Sequence, residues 1–321
     1  MAHLSGDGQR REGRGQIILL IGFTLAVTFV ALALILNSAI YAENLATRSD
    51  TAAGGGPIEV RNEAESGVAS LLAYVTAHNN TDQSAITDNL TTAIDEYSTL
   101  AGRQGAVDGR LSNVAVESVT LGSRLVQPDS GRNLTNRNGT ANWTLARGIK
   151  ARSLVFEVSD NRTTSDSCSP GGECFELTAT SGGDVWRMAV YENATDVVVE
   201  IEGAGGATTT YSPPEDSPPV RIDLGAGTVN GHDVPALQAN VPAPPYELGI
   251  VHGDLATGSF EVIVDDETIA ASPDPDRYFE PGSSGSPRVT HAAYATAIRL
   301  TQRSERIVYN GTVRVAPGEW P

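Results

Sequence analysis

Residues 175–191 read Phe-Glu-Leu-Thr-Ala-Thr-Ser-Gly-Gly-Asp-Val-Trp-Arg-Met-Ala-Val-Tyr. Two runs, 175–180 and 185–191, alternate apolar and polar side chains with a period of two, and glycines part them. That period sets one face of an extended strand against a core and leaves the other to solvent, and the glycines mark a turn. The same signature recurs at 114–120, 153–158, 196–201, 220–224, 258–264, 292–300 and 306–315. Many short strands with Gly, Pro and Asn between them predict an antiparallel β-sandwich over residues 106–321, with 306–315 closing a hairpin on 292–300. Two proline-rich passages, 212–219 and 234–245, read as loops and offer a place to subdivide the β region near 212–245.

Upstream the period changes to that of a helix. Val60, Ala64, Val68, Leu71, Leu72 and Val75 share one helical face, and Ile86, Leu90, Ala93, Ile94, Tyr97 and Leu100 share another. Asn79-Asn80-Thr81 separates them, and Thr81 or Asp82 can cap the second helix. A helical hairpin is therefore expected within 57–105, its stripe serving as packing surface. Gly54-Gly55-Gly56-Pro57 breaks the chain before it. The expected class is α+β.

The charge is lopsided. The chain carries 39 acidic against 22 basic residues, a net −17, and Lys150 is its only lysine. Such an excess self-repels in dilute buffer, but molar salt shortens the Debye length to about 3 Å and removes the penalty. Aspartate- and arginine-rich composition of this kind resembles that of haloarchaeal proteins. The acidity also excludes nucleic acid as a partner, because its binders need a basic footprint.

At the N-terminus, residues 17–36 carry no charge, and the uncharged run extends to Ala42. Twenty-six helical residues rise about 39 Å, enough to cross a hydrocarbon layer of about 30 Å. Arginines precede the run and acids follow it, which predicts a single pass through the cell membrane with a cytoplasmic N-terminus and an extracellular ectodomain. Three readings fit this segment: a secretory signal, an uncleaved anchor, or a cleaved leader before a retained helix. A secretory signal has a shorter apolar region, and the one Ala-x-Ala here, at 31–33, lies inside the run.

Arg14-Gly15-Gln16, directly before the apolar run, resembles the leader junction of haloarchaeal type IV pilin-like surface proteins. The resemblance covers residues 10–45. It implies a cytoplasmic leader at 1–15, cleavage between Gly15 and Gln16 by a prepilin peptidase, and a retained membrane or filament helix with its neck over 16–53. It also implies other pilin-like subunits as partners. The length suits a minor subunit.

Eight of the sixteen asparagines sit in Asn-x-Thr: Asn79, Asn89, Asn133, Asn138, Asn142, Asn161, Asn193 and Asn310. This is the N-glycosylation acceptor pattern of an exported surface, although Asn-Gly and Asn-Thr also favour turns. Cys168 and Cys174 flank Ser-Pro-Gly-Gly-Glu; outside the cell, such a pair predicts a disulfide with its Cα atoms about 4.4–6.8 Å apart.

No catalytic constellation is read. His3, His78, His232, His252 and His291 are scattered, and Gly282-Ser283-Ser284-Gly285-Ser286 is turn sequence without the strand-turn-helix setting of a nucleophile elbow. Asp265-Asp266-Glu267 and Asp274-Pro275-Asp276 lack the Gly-punctuated spacing of an EF-hand and read as solvated loops. The expectation is a non-enzymatic protein with no metal or cofactor, either a pilin-like subunit or a single-pass anchored binding or sensory protein.

Overall fold

The computed structural model describes residues 57–78, 82–107, 109–161, 168, 170–193, 196–213, 219–305 and 308–321. Arg14, Gly15, Gln16, the apolar stretch 17–36 and Asn79 lie outside them. Among the described residues no helix is long and apolar enough to cross a membrane. The chain divides into two compact units, Met1–Val60 and Arg61–Pro321. The second unit carries the sheets and their core.

Two helices come first, α1 (Pro57–His78) and α2 (Gln83–Val107). Most of their expected stripes is buried, Ala64, Val68, Leu72 and Val75 on α1 and Ile86, Leu90 and Ile94 on α2, whereas Leu100, near the end of α2, is exposed. Asp82 starts α2 by accepting the Ser84 backbone N–H at 2.8 Å, which satisfies one of the orphan donors of a first turn. Gly67 lets the helices meet closely, since a Cβ there would lie 2.7 Å from the Tyr97 ring. The Tyr97 hydroxyl donates to the Glu63 carbonyl at 3.2 Å.

The strands follow as β1 (Leu111–Gln127), β2 (Trp143–Ile149), β3 (Ala151–Asn161), β4 (Phe175–Ser181), β5 (Asp184–Asn193), β6 (Asp196–Glu202) and β7 (Thr208–Tyr211). Then come β8 (Val220–Asp223), β9 (Thr228–Val229), β10 (His232–Asp233), β11 (Tyr246–Val251), β12 (Ala256–Val264), a short helix α3 (Thr268–Ala271), β13 (Arg288–Arg303) and β14 (Val308–Val315). They build two antiparallel sheets. One has the order β10-β9-β8-β3-β12-β1-β13-β14, the other β2-β11-β4-β5-β6-β7.

Between the sheets lies one apolar core, with Leu125, Phe156, Val158, Ile222, Phe260 and Val262 from the large sheet facing Leu177, Trp186, Met188, Ile201, Leu248 and Ile250 from the small one. Alternation explains the assignment: along β11 every second residue is buried. Leu237, from the 212–245 passage, and side chains on both sides of it enter this same core, so the passage does not divide the β unit. The 175–191 hairpin forms as read, with Phe175 opposite Val190 and Thr180 opposite Val185. β13 and β14 pair as the closing hairpin, Thr296 opposite Val315.

The helices lie on the other face of the large sheet. Ser98 of α2 accepts the Val114 N–H at 2.8 Å, and Thr76 of α1 donates to the Ala293 carbonyl at 3.4 Å. A small second cluster, Ile263, Ala292, Tyr294 and Ala295, occupies that outer face.

Candidate functional site

Beside α1 the outer face of the large sheet stays open and forms a groove of about 830 Å³. Its floor follows from strand alternation. Where Leu125, Phe156, Ile222 and Phe260 point into the core, their neighbours Arg124, Val155, Glu157, Arg221, Asp223, Ser259 and Glu261 line the groove. Register places these in rows: Glu261 opposite Val155 and Val155 opposite Asp223, then Ser259 opposite Glu157 and Glu157 opposite Arg221. The walls are small side chains, Ala69, Ser70 and Ala73 of α1 on one side and Gly225, Ala226 and Gly318 on the other.

One lining residue breaks the alternation. Counting back from Val155 by twos would turn Arg152 into the core. Instead β3 bulges against β12: Glu261 pairs with Val155, but Ile263 pairs with Arg152, three residues against two. Ser153 takes the extra step in the left-handed region, at φ 52°, a conformation disfavoured for a residue with a side chain. Ala151 and Leu154 then face the core and Arg152 faces the outer layer beside Ile263. The C-terminal tail holds this kink. Ser153 N–H donates to the Gly318 carbonyl at 3.0 Å, and Trp320 N–H donates to the Ala151 carbonyl at 3.0 Å. Trp320 itself is fully buried, edge-on to Trp186 and Tyr246, with its indole N–H donating to the Leu237 carbonyl at 3.1 Å.

Arg152 is 1% exposed. Its Nη2 donates to the Ala293 carbonyl at 2.7 Å and its Nη1 to the Ser153 hydroxyl at 3.3 Å, while its Nε has no partner. Burial pushes its pKa down to about 10, so it remains a cation at neutral pH. Among the described residues no carboxylate forms an ion pair with it, because the nearby acids are engaged elsewhere. Glu261 pairs with Arg124 at 2.6 Å. Glu319 accepts from Tyr294 at 2.7 Å and from Arg314 at 2.7 and 3.0 Å, and lies 3.1 Å from Lys150. Burial alone would raise the Glu319 carboxyl; the bonds from Arg314, Tyr294 and Lys150 outweigh it and hold the pKa at about 2.

The residues singled out in the sequence lie elsewhere. Asn133, Asn138, Asn142, Asn161 and Asn193 gather at one end of the two sheets, past Gln127. Asn133 bridges Thr257, Asn138 Nδ2 donates to Asp276 at 3.0 Å, and Asn142 accepts the His252 N–H at 2.7 Å. Asn161 pairs with Ala256, and Asn193 ends β5 opposite Asp196. Asn138 and Asn142 are exposed, as are Asn89 on α2 and Asn310 on β14, whereas Asn133 is half-buried and the hydroxyl residue of its motif, Thr135, is buried. The side chains of Asn161 and Asn193 lie outside the described residues. Cys168 and Cys174 sit at disulfide distance, Cα–Cα 5.3 Å, and Gly171 between them donates its N–H to Glu176.

The acidic loops do local structural work. Asp266 accepts from the Thr268 backbone and hydroxyl, and Asp274 accepts the Asp276 N–H. Among the described residues no three His, Cys, Asp or Glu side chains converge as a metal site. His252 is exposed in part and takes a left-handed turn, φ 51°, ahead of Gly253. Sequence reasoning missed the groove altogether. Its one available signal was Arg152, a charged residue in phase with the apolar positions Leu154, Phe156 and Val158 of the same strand.

Comparison with known protein families, with characterised proteins and with solved structures finds no match for this chain.

Proposed function

We propose that this chain is a non-enzymatic cell-surface protein, a minor type IV pilin-like subunit. Residues 17–36 form its membrane or filament helix, and the unit in which α1 and α2 pack on the two sheets is displayed outside and N-glycosylated. The observation that carries this reading is the polarity of the β unit. The chain enters it at Arg61, on the stretch of α1 that Tyr97 holds through Glu63; Ser98, next to Tyr97, holds Val114 in the first half of β1. Five sequons lie beyond the other end of β1, and the thirteen steps from Val114 to Gln127 span about 40 Å at strand rise. Sugars are large and hydrated, so they belong on the end away from a tether. The opposite end exposes Leu100, Val107, Leu111 and Val308, with one sequon, Asn310, beside them.

The test is Gly15→Val. On this reading a prepilin peptidase cuts after Gly15, whose missing side chain leaves the bond accessible. The variant inserts normally but stays uncut, and its charged leader keeps it out of an apolar filament core. A wild-type protein that keeps residues 1–15, as the variant does, would defeat the pilin-like reading. A second reading, a permanently anchored binding protein, is favoured by the groove under α1 and requires no cleavage.

A further inference from the structure

We infer that the tip of the large sheet, where β1 begins and β13 turns into β14, rests on an anionic membrane surface, with its arginines on lipid phosphates and its apolar side chains among the headgroups. The inference rests on the reading of residues 17–36 as a membrane span.

Register builds the contact row. Leu111 of β1 pairs with Arg303 of β13, and Arg303 pairs with Val308 of β14, so the three side chains share one face at the sheet's end. All three are exposed, Leu111 at 66% and Val308 at 69%. The last turns of α2 lie beside them. A Cβ on Gly105 would come 3.0 Å from the Arg110 carbonyl oxygen, which brings exposed Arg103 and Val107 to the same tip. Leu100 follows two turns back. Of the five large apolar side chains exposed among the described residues of the second unit, only Tyr74 lies elsewhere, and it stacks on His78. The next row back, Asn113, Thr301 and Asn310, is polar. The apolar band is therefore one row deep, which suits a surface contact, and a sugar on Asn310 would start about 7 Å above it.

The charge of this tip runs against that of the chain. Residues 100–111 and 303–308 carry four arginines against two acids, whereas the whole chain has 39 acidic and 22 basic residues. Among the described residues Arg103 and Arg303 form no ion pair, while Arg299 and Arg314 nearby are held by Glu117 and Glu319. Molar salt limits electrostatic reach to about 3 Å, so the attraction acts by contact, through planar guanidinium groups that match phosphate oxygens.

A membrane fits this tip better than a second copy of the chain. Four apolar side chains are few for a free dimer, whose interfaces bury about 1,200–2,000 Å². The tether removes that requirement. Fifteen steps from Ala42 to Pro57 reach at most about 50 Å, and the chain enters the unit at Arg61, on the stretch of α1 beside Tyr97. The span thus keeps the tip near the leaflet, and weak contacts suffice.

The test places the full chain in nanodiscs holding one copy each, in molar KCl, with lipids brominated in the upper acyl chain as quenchers. Leu111→Trp puts a reporter on the row, and the native Trp143, Trp186 and Trp320 are buried and serve as background. In phosphatidylglycerol discs bromination is expected to lower the added emission about twofold, since interfacial apolar groups sink about 5–10 Å. Wild-type emission should stay unchanged. Val308→Trp, at the other end of the row, should report the same contact if Leu111→Trp does not fold. Arg103→Gln combined with Arg303→Gln should weaken the quenching, and so should phosphatidylcholine discs. Discs that hold the chain without quenching it, quenching that needs two copies per disc, or quenching indifferent to the arginines and to lipid charge would each overturn the inference and leave the span standing. A chain that does not enter the discs would overturn the span and the inference together.

Discussion

On its inner face the large sheet turns Leu125, Phe156, Ile222 and Phe260 against the small sheet; one residue along each strand, its outer face carries Arg124, Glu157, Arg221 and Glu261. The inner face is closed, apolar and specified by packing. The outer face is closed only where α1 and α2 cover it, through Thr76 and Ser98, and elsewhere presents ions above a buried arginine. What separates the two is less composition than register. A single bulge at Ser153 decides whether Arg152 meets the core or the groove, and the C-terminal tail fixes that bulge while plugging the core with Trp320. Stability should therefore be sensitive to changes on the inner side and nearly indifferent to them at the groove wall.

Trp320→Ala should break the contrast most sharply. Removing a fully buried aromatic that contacts Trp186 and Tyr246 is expected to cost about 3–5 kcal/mol, read as the shift of a denaturant midpoint in molar salt. It should also loosen the groove, because the same tail positions Gly318 against Ser153. Gly122→Val comes next. A Cβ at Gly122 would lie 2.1 Å from the Val264 carbonyl oxygen, so β1 and β12 must part there, at an expected cost of about 1–3 kcal/mol.

Glu319→Gln probes the outer layer through pH. The folded carboxyl titrates at about 2, well below the ordinary value of about 4.3. Its contribution is therefore complete above about pH 4.3 and is lost as pH falls toward 2. The variant should be less stable at neutral pH and show a flatter decline in stability across that window. Equal slopes for the two proteins would remove Glu319 from the account. The smallest effect belongs to Ala73→Leu, expected to change stability by less than about 0.5 kcal/mol, since its side chain lies on the exposed wall.

Much of the fold is legible in the sequence, and the reasons are local. The 175–191 hairpin, the α1 and α2 stripes and the Asp82 cap depend on periods and turn chemistry that neighbouring residues carry. The rest depends on distant partners. β2 is hidden because Arg147 and Gly148 interrupt its alternation, and β11 because it comes directly after the prolines of 234–245. Arg152 falls in phase with Leu154, Phe156 and Val158, but the bulge that turns it outward exists only relative to the register of β12. Nothing near Trp320 announces a core position, because the residue lies beyond the last strand. The groove inherits both gaps: its floor needs the register and its wall needs the tail.

The reading as a displayed surface subunit rests on a tether at one end and sugars at the other, and mass spectrometry of the mature protein from the cell envelope addresses both at once. It should find a chain beginning at Gln16, with glycans on Asn138 and Asn142 and none on half-buried Asn133, whose Thr135 is inaccessible once the chain folds. A mature chain that retains residues 1–15, with Asn138 and Asn142 bare, would contradict it.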